Sequence, residues 1–545
     1  MTHVLDPAHR RAAMVEAGLW QDKTLLDHFR AQVAALPGKT AVIAPRAETG
    51  IETRLTFAEL DRLSDDLAIG LSRRGVGEGD VVSFQLPNWW QFTVLHLAAL
   101  KIGAISNPLM IIFRERELTF MLGLAQSKVL VVPAMFRGVD HRAIGLGVKA
   151  AVPSLEHLFV IDGAGAEDFD TLFARDASPA ERATLAARKL SPDAVIQLLY
   201  TSGTTGEPKG VSHTSNTMLS NLVPFAERLK LGREDVIHMP SPMAHQLGFM
   251  YGLVLPAMLG STAVLQDIFV AETMAAQITG FGATFTMGAT PFLNDLSDFC
   301  IKTGTATPSL RIFVSAGAPI PRPLVVKAKD ALGAAIISAW GMSENGAVTT
   351  ACLDDAEDKV TGTDGVALPG MEVRVVNALG EPVAAGVEGS LQVRGCSNFV
   401  GYMKRPTLAQ VDAEGWFDTG DLARMDAEGY IRIAGRSKDI IIRGGENIPV
   451  VEVENLLYKH PAIFALAIVG YPDARLGERA CAFVTLREGA SLTFEEMTDY
   501  LKAQKMAMQY LPERLEIVAD LPRTPSGKIQ KFKLRETAKA FSSEA

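Results

Sequence analysis

The 545-residue sequence predicts an α/β protein of two bodies. A large N-terminal domain of layered α/β subdomains carries a small β subdomain, and a small α+β C-terminal domain follows. Three observations predict this. The chain is too long for one hydrophobic core. Its first part alternates strand-like and helix-like runs, the pattern of layered α/β folds. A polar joint, "GRSKDIIIRGGENI" at 435–448, separates two sheet-like regions. The boundary falls near 436–438, giving domains 1–436 and 437–545.

Before residue 190 an amphipathic helix ends at Gly75. "GDVVSFQLPN" (79–88) is a strand and turn, "WQFTVLHLAALKIGA" (90–104) a helix and "KVLVVP" (128–133) a strand. The pattern continues through 191–350. Leu247 to Leu265 carries no charge and is about long enough to span a membrane, but Gly248, Gly252, Pro256 and Gly260 interrupt it. It reads as a buried helix, a turn at Gly260 and a core strand. Over 366–402, "MEVRVVN", "GEPV" and "EGSLQVRG" are short strands between Gly-containing turns, which defines the β subdomain. After the joint, "PVVEVENLLYKHP", "IFALAIVGYPD" and "ACAFVTLRE" make an αββ unit.

Composition narrows the function classes. Charged residues make up 21% and the net charge is −9, so a nucleic-acid partner, which would need a basic surface, is not expected. Cys300, Cys352, Cys396 and Cys481 show neither metal-ligand spacing nor a disulfide framework, which fits a reducing cytoplasm. The N-terminus has no apolar signal segment, and no integral membrane association is expected.

The chemistry starts at "LLYTSGTTGEPKGVSHT" (198–214). A Walker A loop fails here: Pro208 stands where its second Gly belongs, and Gly210 follows Lys209. "GVGEGD" (75–80) likewise fails as a dinucleotide loop at Asp80. The physics of phosphate holding is nonetheless present. Gly203 and Gly206 free backbone N–H groups to face an anion, Thr201, Ser202, Thr204 and Thr205 add hydroxyls, and Lys209 adds a cation. A solvated surface loop is the competing reading of this composition.

Six further stretches follow in order: "SPMAHQLGF" (241–249), "VSAGAPI" (314–320), "AWGMSEN" (339–345), "GWFDTGDLA" (415–423), "GYIRIAGRSKDIIIRGGENI" (429–448) and "LPRTPSGKIQK" (521–531). With the first loop they make seven signatures that span essentially the whole chain. In this set and order the sequence resembles the adenylate-forming superfamily of acyl- and aryl-CoA synthetases, peptide-synthetase adenylation domains and luciferases. Within it the chain looks most like CoA ligases of alicyclic, aromatic or medium-chain acids, the cyclohexanecarboxylate type above all.

The resemblance implies a function: ATP-dependent adenylation of an apolar carboxylic acid, then acyl transfer to coenzyme A with release of AMP and pyrophosphate. It also implies roles. The 201–209 loop would hold the ATP phosphates. Gly317, Ala318 and Pro319 would lie on one side of adenine and Trp340, where the family usually has Tyr, on the other. Gly341 and Met342 complete that segment, Ser343 would donate to the α-phosphate, and Glu344 would ligate Mg²⁺ as a hard oxygen donor. Asp421 would take both ribose hydroxyls, with Arg436 as a second ribose or phosphate contact. Lys528 would bind the substrate carboxylate and the α-phosphate. Lys438 would be the hinge of a mobile C-terminal domain, and Arg443, Gly444, Gly445 and Glu446 would guide CoA.

His245 would stand at the mouth of an acyl pocket formed with Phe249, Gly288 in "TMGA", Gly341 and Met342. A core imidazole satisfied by its neighbours is the competing reading of His245. Gly288 and Gly341 would leave width for a ring or branched acid. The resemblance is compatible with a homodimer. Alternatives remain at this point: an acyl-AMP ligase that loads a separate carrier protein, a luciferase-like oxygenase, and a noncatalytic nucleotide-binding homologue. "RGGENI" favours CoA, and the presence of Glu344, Asp421, Arg436 and Lys528 speaks against a noncatalytic role.

Overall fold

The computed structural model describes residues 5–201, 208–317, 320–443, 446–473, 475–524 and 527–543. Two large sheets organise the first part. In the nine-stranded sheet the order is Val366–Ala367, Gly346–Thr350, Ala335–Met342, Ile312–Ser315, Phe285–Gly288, Val236–Met239, Thr262–Leu265, Thr40–Pro45 and Glu52–Thr56. Its inner strands pair in parallel and its two ends antiparallel. The seven-stranded sheet runs Gly401–Tyr402, Lys209–Thr214, Val195–Thr201, Ile105–Pro108, Val81–Phe84, Ser127–Pro133 and His157–Ile161.

One core draws on both sheets, with Val82, Val131 and Ile196 from one and Ile237, Phe285 and Val314 from the other. Helices Trp90–Ile102 and Ser215–Arg228 contribute to it and are buried on nearly every face. Trp90–Ile102 is apolar nearly all round, as suits a helix inside such a layer, whereas Ser215–Arg228 also buries Asn221, which is hydrogen-bonded to Asn345 and Ala347. The helix expected to end at Gly75 is Phe57–Arg73, started by a Thr56/Glu59 capping box. Gly75 closes it with φ of 75°.

The uncharged run after Leu247 folds as anticipated, with one departure. Helical turns Gln246–Phe249 and Leu255–Leu259 flank a wide π turn at Met250–Val254, Gly260 turns at φ 76°, and the strand Thr262–Leu265 follows. Pro256 has no N–H to donate back to Gly252, which favours the wider winding there. Gly252 allows the helix to lie against strand Val236–Met239: a Cβ would stand 2.4 Å from the Met239 side chain. Among the described residues no helix is long and apolar enough to cross a membrane.

The β subdomain lies further along the chain than 366–402. Its four strands are Met371–Val376, Glu388–Gly395, Phe417–Met425 and Ile431–Arg436. Val366–Ala367 ends the nine-stranded sheet and Gly401–Tyr402 the seven-stranded one. "GEPV" is a turn with a single bridge, Val376 to Pro382, because Gly380 is left-handed and Pro382 has no N–H to offer a ladder. The αββ unit appears as helix Val450–Leu457 with strands Ile463–Asp473 and Gly477–Leu486. Strand Arg514–Ile517, the hairpin Ile441–Arg443 with Glu446–Ile448, and helices Phe494–Ala503 and Lys531–Ala538 complete it. Apolar side chains cover both faces of this sheet, Val453 and Leu501 on one and Phe483 and Leu534 on the other.

Four imidazoles, His96, His141, His213 and His238, are buried in the large part. Burial pushes His96 down to about 3 and the other three to about 4. Unfolded, each has an ordinary pKa near ~6.5. Their contribution is therefore complete above that value and declines as pH falls toward 4, since the unfolded chain takes protons that the fold refuses. Unfolding free energies from urea titrations between pH 7 and 4.5 should fall more shallowly in His238→Gln than in the parent, by up to about 1.4 kcal/mol per pH unit. Equal slopes would mean that the folded protein protonates His238.

Candidate active site

The edge of the nine-stranded sheet carries most of the site. Strand Ala335–Met342 turns back into Gly346–Thr350, with a register break between Trp340 and Gly341. The turn presents Ser343 and Glu344. Glu344 is only 6% exposed. The Tyr402 hydroxyl donates to its Oε1 at 2.7 Å, and Phe399 N–H donates to its carbonyl at 2.7 Å. Burial raises the Glu344 carboxyl above the usual range, opposed by the Tyr402 bond and then by the charges of Lys209 and Arg436. Burial and the facing carboxylate raise Tyr402 too, so it remains a hydroxyl donor. The Lys209 ammonium sits 5.0 Å from the centre of the Tyr402 ring.

The hairpin is held from below by buried groups. His213 Nε2–H donates to the Ser343 carbonyl at 2.7 Å. Asn221 Nδ2 donates to the carbonyls of Asn345 and Ala347 at 3.2 and 2.7 Å. Tyr251 donates to Asn221 Oδ1 and accepts from Ala347 N–H. A buried polar network satisfied in this way rigidifies the turn that carries Ser343 and Glu344.

Asp421 approaches from the four-stranded sheet, where it is the cross-strand partner of Arg436. It is 5% exposed. Trp340 Nε1–H donates to its Oδ2 at 2.9 Å, and Arg436 Nε stands 3.1 Å from its Oδ1. Thus Lys209, Trp340, Ser343, Glu344, Asp421 and Arg436, widely separated in sequence, form one neighbourhood, with Thr201 opposite Lys209 in the flanking ladder.

His245 and Lys528 form a second focus. His245 begins the helical turn Gln246–Phe249, and its Nδ1 accepts from Leu247 N–H at 3.3 Å. Burial first, then the nearby Lys528 charge, pushes it down to about 4, so it is neutral near pH 7. Lys528 comes from the small C-terminal part. Its N–H bonds Thr524 Oγ1 at 3.0 Å, and its carbonyl accepts from Thr524 N–H at 2.7 Å. Gly527, left-handed at φ 84°, seats this turn on the large part, where a Cβ would come 3.1 Å from Pro291. Tyr458 donates to Asn294 at 2.8 Å and Arg487 faces Asp298 at 3.8 Å across the same junction.

The acyl-pocket residues divide. Gly341 does not leave width: a Cβ there would stand 1.8 Å from the Gly346 carbonyl oxygen, so the facing main chain fills that space. Phe249 is fully buried with its ring 4.7 Å from His96, in the core. A Cβ on Gly288 would point at the Phe292 ring, 3.0 Å away. Met342 is partly exposed and its N–H bonds Asn345 Oδ1. Gly317 is left-handed at φ 79° with open space beside it. Arg443 donates to the Gln509 carbonyl at 2.8 Å and pairs with Glu513. Ser202, Gly203, Thr204, Thr205, Gly206, Ala318, Pro319, Gly444 and Gly445, with the side chains of Lys438 and Glu446, lie outside the described residues.

Sequence reasoning passed over Tyr402, His213, Asn221 and Tyr251. His213 and Tyr402 each sit in a stretch already noted, "GVSHT" and the 366–402 segment, but their partners lie 130 and 58 residues away. The one local signal was a His and a Tyr placed in otherwise apolar or small-residue runs.

Residues 29–403 match the family model described as AMP-binding enzyme, and residues 452–528 match the C-terminal domain of the same enzymes. The chain belongs to the AMP-binding enzyme family. It is 37% identical to a medium-chain fatty-acid–CoA ligase of Escherichia coli (strain K12), over 97% of this chain and 92% of the relative. It is 33% identical to a salicyl-AMP ligase / salicyl-S-ArCP synthetase of Mycobacterium tuberculosis (strain ATCC 25618 / H37Rv), over 96% and 92%. Its fold matches the crystal structure of the anthranilate CoA ligase AuaEII in complex with anthranoyl-AMP, with a TM-score of 0.86, 26% identity and coverage of 96% and 98%. The large α/β part and small C-terminal part are those of adenylate-forming enzymes.

If Gly341 serves the hairpin, Gly341→Ala should lower stability by about 1–3 kcal/mol, the cost of overpacking. It should also depress turnover of small and large acids alike. A shift in preference toward smaller acids, with an unchanged urea midpoint, would restore Gly341 to the pocket wall.

Proposed function

We propose that this protein is an AMP-forming acyl-CoA ligase acting on an apolar carboxylic acid of medium chain length or with a ring. The acid's carboxylate attacks the α-phosphorus of ATP, expelling pyrophosphate and forming acyl-AMP. The CoA thiol then attacks the acyl carbonyl, expelling AMP. The observation that carries the reading is Lys528: a turn of the small part, seated on Pro291, brings this cation beside His245 at the large part's site.

The two anions that must meet repel each other. Lys528 placed between them offsets that repulsion and stabilises charge in the transition state. Neutral His245 lines the path of the acyl group without competing for its carboxylate. Asp421 takes the ribose hydroxyls, Trp340 faces the base, Arg436 supports the sugar or phosphate, and Ser343 donates to the α-phosphate. Lys209 and the 201–206 loop receive the β- and γ-phosphates. Glu344 fits a Mg²⁺ ligand: it is a buried hard-oxygen donor whose closest described side-chain partner is the neutral Tyr402 hydroxyl. The cation would neutralise phosphate charge.

The apolar-acid reading is supported by the fatty-acid and aryl relatives and by the lack of charge on the candidate pocket residues themselves, neutral His245, Gly288 and Met342. For the second step, torsional change at Lys438 would swing the small part and replace Lys528 with the Arg443–Glu446 hairpin. The polar contacts at Asn294 and Asp298 are of a kind that can break and reform.

Lys528→Ala should lower acid-dependent pyrophosphate exchange by about 10²–10³-fold, the scale for removing one preorganised charge donor. CoA transfer from supplied acyl-AMP should survive. Equal loss of both half-reactions in a folded variant would remove Lys528 from its role.

A further inference from the structure

Asp421 is nearly out of water, and its surroundings constrain it more than a single ligand role requires. A carboxylate offers about four lone-pair sites on its two oxygens. One is in use, by Trp340 Nε1–H at Oδ2, and the Arg436 guanidinium pairs with the other oxygen, its Nε 3.1 Å from Oδ1. The terminal torsion of an Asp is broad, and here a directional donor on one oxygen and a cation beside the other limit its rocking. The two are unequal anchors. The Arg436 side chain is 36% exposed, but the Trp340 residue is 8% exposed and its indole packs in the core of the β subdomain. Indole is also a donor only, so this contact has one polarity.

We propose that Trp340 is the positioning residue through which this protein reads the sugar of its nucleotide: by holding Asp421 Oδ2 it aims the carboxylate's remaining lone pairs at two neighbouring hydroxyls, and so sets the preference for ribose over 2′-deoxyribose. The inference rests on the reading of Asp421 as the ribose ligand. It assigns Trp340 a task separate from facing adenine, one that a phenyl ring could not perform. A site built to hydrogen-bond a hydroxyl discriminates strongly against the analogue that lacks it, provided its own polar groups cannot turn away. Trp340 prevents that turning.

The experiment measures pyrophosphate exchange with ATP and with 2′-deoxy-ATP, at fixed acid and Mg²⁺, in the parent, Trp340→Phe and Asp421→Ala. Trp340→Met is a second variant without a donor should Trp340→Phe fail to fold. The parent should prefer ATP. Trp340→Phe should shrink that preference about tenfold, the order expected for loss of one hydrogen bond to a charged group. The change should appear in the KM for ATP, with kcat and the KM for the acid nearly held. Asp421→Ala should abolish the preference. Equal increases of KM for ATP and 2′-deoxy-ATP in Trp340→Phe would show that the residue acts through the base alone, and would overturn the inference. An unchanged preference in Trp340→Phe, with loss in Asp421→Ala, would overturn it while leaving the ribose reading intact. A preference that survives Asp421→Ala would sink the ribose reading and the inference together.

Discussion

The structure depends on keeping one carboxylate, Glu344, inside the protein. Removing a charge from water is costly unless partners replace the lost hydration. The nearest partner, Tyr402, comes from the last strand of the seven-stranded sheet, while Glu344 stands on a turn at the edge of the nine-stranded sheet. Meeting that requirement ties two sheets together. Lys209, at the start of the strand beside Tyr402, brings the end of the antiparallel pair Val195–Thr201 and Lys209–Thr214 to the same place. His213, Asn221 and Tyr251 complete the support by holding the turn's backbone.

From this anchor the site extends in two directions. Through Trp340 it reaches Asp421 and Arg436, so the four-stranded sheet joins the other two at hydrogen-bond distance. Through the helical run after His245 it reaches the turn of Lys528. The first connection is buried and built from short contacts. The second relies on a glycine turn against Pro291 and on the part-buried pairs Tyr458–Asn294 and Arg487–Asp298. In the proposed function the rigid side takes the nucleotide and the looser side carries Lys528.

Much of this was legible in the sequence for particular reasons. The 198–214 stretch stands out by composition, Gly, Ser and Thr after a buried strand, but composition leaves a solvated loop as a competing reading, and residues 202–207 lie outside the described residues. Glu344, Asp421, Arg436 and Lys528 were legible through ordered motifs. The uncharged 247–265 run could be read as core because its glycines and proline argue against a membrane helix. What stayed hidden has a common cause, dependence on distant partners. Gly341 looks like a space-maker until the Gly346 carbonyl is seen facing it. Tyr402 looks like part of a β subdomain until its strand is found pairing with Val211 and Ser212. The π turn at 250–254 follows from a proline whose effect on winding depends on how closely Gly252 must approach Met239.

The central claim is that the acid's carboxylate attacks phosphorus and that CoA later attacks carbon. These two steps place one carboxylate oxygen in a defined product. With the substrate acid labelled with ¹⁸O in both carboxylate positions, a single turnover with ATP and CoA should yield AMP carrying one labelled oxygen. The pyrophosphate should be unlabelled, and the thioester should retain the other labelled oxygen. Label in the pyrophosphate, or AMP without label alongside labelled water or phosphate, would contradict an acyl-adenylate and with it the account of the site.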